Sequence, residues 1–363
     1  MTEIETALER LGGDKVFSPL SENQKLEIIP TGIKTIDDDV LACGGLPRGR
    51  IVHIFAETSV GKTTFSQFIS GKVQLSGGNV AWGEAEGTLM ADYSASSGMK
   101  IKDVWMIEHT SGNDLLYKTQ QLIALNLFDL IVLDSLDAIR PSRTLEHNEE
   151  LKMNERMDHP KLLNDFFYAI TSGFSIKDAN KKMIINPYSN WQYNDKGKLA
   201  ETNEVHKLKD KKTILIIISH KKVKIGQQWG SKTRTSGGGE KDFAATIQLD
   251  LRHVSFKKGK SKKQTVLRFR EVKVVAVKNK VGIPQGEAIL RIYPDGKILP
   301  PNEDDLTDVQ ELTIEEAEAA GLEISEEARV AEFKTRFKSF KEGKNEDERR
   351  EDPNSETVQE EGA

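Results

Sequence analysis

Residues 56–64, Ala56-Glu57-Thr58-Ser59-Val60-Gly61-Lys62-Thr63-Thr64, have the types and spacing of a phosphate-binding loop. In such a loop the backbone N–H groups and the start of the following helix cradle phosphates. Lys62 meets the β and γ oxygens, and the Thr63 hydroxyl ligates Mg²⁺. The first position is Ala56 where the pattern usually has Gly. Further on, Leu130-Ile131-Val132-Leu133-Asp134 is a run of four apolar residues ending in an acid. Placed after a phosphate loop, Asp134 is a candidate to hold the Mg²⁺ through water. Hydrolysis of a phosphoanhydride also needs a carboxylate that orients or deprotonates water. Glu84 and Glu86 stand at the end of another apolar segment, and alternation along a strand points both the same way. Either acid meets the requirement at this level.

A second chemistry lies in residues 221–236, which hold Lys221, Lys222, Lys224, Lys232 and Arg234 and no acid. Ile225 and Trp229 are interleaved, and Gly237-Gly238-Gly239 follow. Basic side chains track phosphates, an apolar wedge and an aromatic ring insert between bases or stack on them, and glycines admit close backbone approach. This is the pattern of a single-stranded nucleic-acid loop. Another cluster, Lys257, Lys258, Lys260, Lys262 and Lys263, falls at an expected turn. It reads equally as duplex-binding surface and as a solvated hairpin tip.

These residues need elements to hold them. The pattern predicts strands at 50–56, 79–85, 103–109, 130–134 and 213–219, and helices at 62–75, 113–127 and 161–171. Strands that are apolar throughout, such as Ile214 to Ile218, indicate a parallel sheet covered on both faces. Three later strands, near 245–254, 266–275 and 286–293, follow without helices between them and extend the sheet in antiparallel fashion. The fold class is therefore α/β, with a mostly parallel central sheet. Residues 1–12 form a short amphipathic helix, too short to hold alone, that packs on its own core or on a neighbouring subunit. Residues 174–212 are polar without a clear period, which makes them an inserted subdomain or a long loop.

Composition narrows the class. The chain has 363 residues with 52 Lys+Arg against 57 Asp+Glu, a net charge of −5. That charge is divided unevenly, because residues 302–363 carry 21 acids against 8 bases and leave +8 on residues 1–301. A basic body with an acidic tail predicts an anionic partner and a segment that competes with it. Residues 341–363, rich in charge and poor in apolar residues, should be disordered. No apolar run approaches the roughly 18–20 residues that span a bilayer. Cys43 is the single cysteine, so no intrachain disulfide forms and a cytoplasmic compartment is expected.

The motifs taken in order resemble the core of the RecA family of recombinases. They begin with Ile33-Lys34-Thr35-Ile36-Asp37, Gly44-Gly45-Leu46-Pro47-Arg48-Gly49-Arg50-Ile51-Val52 and the phosphate loop. They continue through Ala85-Glu86, Asp134-Ser135, Lys224-Ile225-Gly226, Ser236-Gly237-Gly238 and Val277-Lys278-Asn279-Lys280. The likeness covers about residues 30–295 apart from the 174–212 insertion, within a core domain placed at 31–300. It implies an ATP- and Mg²⁺-dependent enzyme that forms filaments on single-stranded DNA, pairs it with homologous duplex and exchanges strands. Carried over by position, Glu86 is the implied catalytic base and Tyr93 the residue that stacks on adenine. Lys278 and Lys280 are the implied pair that reaches the neighbouring subunit's ATP. His220, at the end of Ile216-Ile217-Ile218-Ser219-His220, falls at the γ-phosphate sensor, where His is similar to phage UvsX-type recombinases. Residues 221–238 then match the second DNA loop, with Ile225 as the wedge. The region 141–160, with Arg143, Lys152 and Arg156, lies where the first DNA loop is expected. Implied partners are single- and double-stranded DNA, further copies of the chain, and single-strand-binding and loader proteins, in the cytoplasm of a bacterial cell or phage-infected host.

Three features depart from the family pattern. Asp242 stands where bacterial members often have Lys, with Lys241 beside it. Only residues 312–340 are left for a helical C-terminal region. The insertion has no assigned counterpart. Two other functions use the same nucleotide motifs: a hexameric helicase or related motor, and a DNA-binding module gated by ATP without turnover.

Overall fold

The strands between residues 51 and 134 run parallel and end at the same edge of one sheet, and that sets the architecture. A computed structural model describes residues 26–141, 155–175, 205–223, 233–235, 238–261, 264–301 and 309–311. It opens with a small antiparallel pair, β1 (Ile28–Ile29) and β2 (Leu46–Pro47), enclosing a π-helical turn at Ile36–Val40. Next come β3 (Ile51–Ala56), α1 (Lys62–Leu75), β4 (Val80–Glu84), α2 (Ala91–Ser96) and β5 (Val104–Met106). Then follow α3 (Gly112–Leu125), β6 (Leu130–Asp134), α4 (Glu155–Ser172) and β7 (Ile214–Val223). After β8 (Thr233–Thr235) and α5 (Gly238–Ala244), the chain ends its described part in strands. These are β9 (Ile247–Ser261), β10 (Gln264–Asn279), β11 (Glu287–Ile292), β12 (Ile298–Leu299) and β13 (Val309–Glu311).

The main sheet has the order β12-β11-β10-β9-β3-β7-β6-β4-β5. From β9 to β5 every neighbouring pair is parallel, whereas β9, β10, β11 and β12 pair antiparallel. This is the α/β class with antiparallel extension that the sequence predicts. Alternate residues of each parallel strand enter opposite cores. Val52, Ile54, Val132 and Ile216 pack with Phe65 and Ile69 of α1. Ile51, Ile131, Leu133, Leu215 and Ile217 pack with Leu115 of α3 and with Leu163 and Phe167 of α4. Burial on both faces explains why these strands read as unbroken apolar runs.

Several boundaries differ from expectation. Helix α4 starts at Glu155 and carries Pro160 inside it. The sequence reading starts that helix after the proline, because the ring removes a donor and normally marks a helix start. Strand β5 has only three residues. Strands β9 and β10 run 15 and 16 residues as a bulged ribbon, with β13 added beyond β9. Lys257, Lys258 and Lys260 therefore sit in a strand rather than at a turn, and Lys257 and Lys258 are half-buried, because a bulged ribbon carries polar residues as readily as a loop does.

Other expectations lie outside the described residues. These are the 1–12 helix, Arg143 and Lys152, most of the 174–212 insertion, and Lys224, Ile225, Trp229, Lys232 and Gly237. Lys262, Lys263, the C-terminal helices and the acidic tail lie outside as well. Among the described residues, no helix is long and apolar enough to cross a membrane.

Candidate active site

Strand β3 delivers the chain from the sheet centre into the loop at 56–61, which turns sharply into α1. Two residues make that turn, Ser59 with φ 58° and Gly61 with φ 113°. At Gly61 a β-carbon would also lie 2.5 Å from Ile292 Cδ1, so both conformation and space call for glycine. The loop therefore presents the N-terminus of a 14-residue helix at the carboxyl edge of the sheet, where α/β folds bind ligands.

Neighbouring strands bring their last residues to the same edge. Lys62 Nζ donates to Glu57 O at 2.9 Å and lies 3.3 Å from His220 Nδ1. On the other side of the imidazole, His220 Nε2 is 3.3 Å from Glu86 Oε1. The tautomer with its proton on Nε2 satisfies both contacts, accepting from Lys62 and donating to Glu86. The backbone N–H of His220 donates to Asp137 Oδ2 at 2.7 Å, which fixes the end of the β7 core. Glu86 also accepts a short hydrogen bond from the Ser135 hydroxyl.

Glu84 and Glu86 do not point the same way, as alternation along a strand implied. Strand β4 ends at Glu84, and the chain bends there. The Glu84 carboxylate accepts from the backbone N–H of Glu86 at 3.1 Å and of Thr88 at 3.2 Å, so it caps that bend. Glu86 alone of the two reaches His220 and Ser135.

Thr63 Oγ1 donates to Asp134 Oδ2 at 2.7 Å. Asp134 is 3% exposed, and burial pushes its carboxyl up to about 7, against the lowering effect of Thr63. The charges of Glu84 and Glu86 raise it further, and Lys62 opposes them. A buried carboxylate with two others nearby is a site that a divalent cation would stabilise. Among the described residues no three His, Cys, Asp or Glu side chains are grouped to chelate a metal by themselves. Thr63 and Asp134 supply the oxygens that would hold Mg²⁺, which takes one or two protein oxygens and completes its shell with phosphates and water.

Tyr93 stands on the rim of the loop, its hydroxyl 3.2 Å from Thr64 Oγ1. One residue the sequence reading missed joins it. Arg270 of β10 donates a short hydrogen bond to Ser59 O of the loop and interacts with Tyr93. Burial lowers its pKa from the usual guanidinium value. No motif marks Arg270, because only the antiparallel ribbon folding back brings it there.

The basic loop is closed at its base by β8, which pairs antiparallel with the end of β7 through Lys221–Thr235, Lys222–Arg234 and Val223–Thr233. Lys221, expected to face DNA, instead pairs with Asp250 at 3.3 Å and is only 8% exposed. Its charge serves the sheet: with Arg252, 2.8 Å from the same carboxylate, it compensates the buried Asp250 of β9. Gly238 begins α5. Lys278 and Lys280 both donate to the backbone O of Phe243 at 3.2 Å, and Lys278 also to that of Asp242, at the end of α5. They are far from their own phosphate loop: Lys278 pairs with Gln248 and Asn279 with Ile247, at the amino end of β9.

The RecA N-terminal domain family model matches residues 2–185 and 201–298, most of the chain. The chain belongs to the RecA family. The skipped stretch falls inside the 174–212 segment that stands apart in the sequence. Among curated relatives of this RecA-family chain, protein RecA of Streptomyces avermitilis is 30% identical over 284 residues, covering 77% of this chain and 64% of that protein. Protein RecA of Dichelobacter nodosus is 28% identical, covering 79% and 71%. The mitochondrial DNA repair protein recA homolog of Dictyostelium discoideum is 29% identical, covering 74% and 50%. The RecA-family chain thus spans between half and about seven tenths of the length of these relatives.

Proposed function

We propose that the chain is a DNA-dependent ATPase that assembles as a filament on single-stranded DNA and promotes homologous pairing and strand exchange in recombination and repair. The observation that carries the reading is His220, hydrogen-bonded between Lys62 and Glu86 at the end of the strand that leads into the basic loop. The names of the relatives, protein RecA and a DNA repair homologue, support the recombination and repair setting.

In this mechanism the loop N–H groups and Lys62 hold the ATP phosphates, and Tyr93 stacks on the adenine. Thr63 and Asp134 would hold Mg²⁺, which would supply positive charge to the phosphate oxygens. Glu86, oriented by the Ser135 hydroxyl, positions the attacking water and accepts its proton. His220 exchanges its contact with Lys62 or Glu86 for one with the γ-phosphate, so occupancy of the site alters the strand that anchors the DNA loop. Lys222, Lys224, Lys232 and Arg234 track the DNA backbone, while Ile225 and Trp229 engage bases next to Gly237 and Gly238. Lys278 and Lys280 act on the ATP of an adjoining copy and stabilise charge in the transition state. Duplex DNA and single-strand-binding or loader proteins complete the set of partners.

The test is ATP hydrolysis with and without single-stranded DNA, in the native chain and in Glu86→Gln. Single-stranded DNA should stimulate the native rate, and the variant should lose about 10²–10⁴-fold in turnover while still binding ATP. Absence of stimulation, or unchanged turnover in Glu86→Gln, would contradict the reading.

A further inference from the structure

The edge of the sheet opposite the phosphate loop carries a second concave surface. Gly49 N–H donates to Thr213 O at 3.1 Å, Thr246 N–H to Ile51 O at 2.9 Å and Lys280 N–H to Thr246 O at 3.0 Å. These bonds bring the amino ends of β3, β7 and β9 together as the floor of a hollow of about 560 Å³. That volume is within the range of small-ligand sites. Six residues of β3, at about 3.3 Å each, separate this floor from the phosphate loop, so a ligand here is not one held on the loop of the same chain.

The walls carry charge that the described residues do not neutralise. Arg48 pairs with Asp129 at 2.8 Å and with Glu27 at 3.4 Å, and Lys212 pairs with Asp129 at 3.2 Å. Those two cations and two acids account for each other. Arg50, Lys209, Lys211 and Lys280 also line the hollow, and among the described residues none of the four has a carboxylate partner. Asp210 is the one remaining acid on the wall. Three of the four are instead oriented by neutral backbone carbonyls: Arg50 by Gly49 O at 3.0 Å, Lys211 by Ala124 O at 3.2 Å and Lys280 by Phe243 O at 3.2 Å. Three of the four cations are thus held in position, and no described carboxylate compensates them.

Like charges gathered in a concavity focus a positive potential and repel one another until an anion enters. Several ammonium groups and a guanidinium fork around one space suit phosphate oxygens, which accept many charge-assisted hydrogen bonds at once. We propose that this hollow is a second phosphate-binding site, independent of the nucleotide loop, that takes either the backbone of a nucleic-acid strand or a free polyphosphate. The assignment does not depend on catalysis, and Lys280, which the functional reading employs, is left unaltered in its test.

The experiment uses the full chain with its nucleotide loop saturated by Mg²⁺-ADP, titrated calorimetrically with inorganic tripolyphosphate. The native chain should bind it, and Arg50→Gln/Lys209→Glu should bind it at least about tenfold more weakly, the loss of one charge-assisted contact or more. Unchanged ADP affinity and melting temperature in the variant show that fold and nucleotide loop are intact. A second arm measures the salt dependence of binding to a labelled oligonucleotide. A slope reduced by about 1–2 in the variant identifies the nucleic-acid backbone as the source of phosphate. An unchanged slope with lost tripolyphosphate binding identifies a free polyphosphate. The proposal is overturned if tripolyphosphate does not bind, if both proteins bind it equally, or if polyglutamate binds in its place. Failure of ADP to bind at all would count against the functional reading instead.

Discussion

Asp134 shows how one side chain is tuned by its surroundings. Its carboxyl is raised to about 7, first by burial and then by Glu84 and Glu86, although Thr63 and Lys62 oppose the shift. A folded-state pKa above the unfolded value means that the native state binds the extra proton between the two. The associated stability is fully present below the unfolded value near 3.8 and is lost as pH rises through about 7. The nucleotide-free chain should therefore lose stability from pH 4 to pH 8. Asp134→Asn keeps an acceptor for Thr63 and removes the charge, so it should melt higher than the native chain at pH 8 and nearly alike at pH 4. Each kcal/mol relieved corresponds to about 2–4 °C. Mg²⁺-ATP should raise the melting temperature of the native chain far more than that of the variant. Melting curves over this pH range decide the matter, and a native chain that grows more stable toward pH 8 contradicts it.

Helix α1 illustrates a constraint at the scale of elements. Gly71 lies in its interior, where glycine ordinarily costs about 1 kcal/mol relative to alanine. A β-carbon there would stand 2.1 Å from Gly98 O, in the turn after α2. Backbone rather than a flexible side chain opposes it, so α1 or that turn must move. Gly71→Ala should consequently destabilise the chain, by about 1–3 kcal/mol as in an overpacked core, instead of stabilising it. Urea unfolding measures the difference, and a gain in stability would show that the contact is slack. The shift would also disturb Tyr93, since α2 carries it, so weaker nucleotide binding should accompany the loss.

Across the whole molecule, the two ends of the sheet carry different halves of the proposed site. The phosphate loop, Glu86 and His220 lie at the carboxyl edge, while Lys278 and Lys280 lie at the amino end of β9, tied to the end of α5. No single chain brings them together. A head-to-tail contact between copies would, and such contacts generate open filaments when the rotation does not close. Mixing Lys62→Ala with Lys280→Ala tests this. Each alone should lack DNA-stimulated turnover, but about one quarter of interfaces in a random mixture would join an intact loop to an intact lysine. Activity near that fraction of native, measured as ATP hydrolysis on single-stranded DNA, is expected. Activity no greater than that of the separate variants would rule out action between copies.

The sequence alone determined what local chemistry can specify. The 56–64 loop, the apolar strands ending at Asp134 and His220, and the alternation of strand and helix are short-range patterns, fixed by glycine conformation and by burial on both sheet faces. The tertiary structure decided what depends on where strands meet. It separated Glu86 from Glu84, because β4 ends one residue too soon for alternation to hold, and it turned Lys221 inward, because β9 places Asp250 beside it. It also brought Arg270 to a loop more than two hundred positions earlier, and gathered Arg50, Lys209 and Lys280 around one hollow. Such juxtapositions follow from strand order and register, which are set by the packing of the whole sheet and leave no mark at the spacing of neighbouring residues.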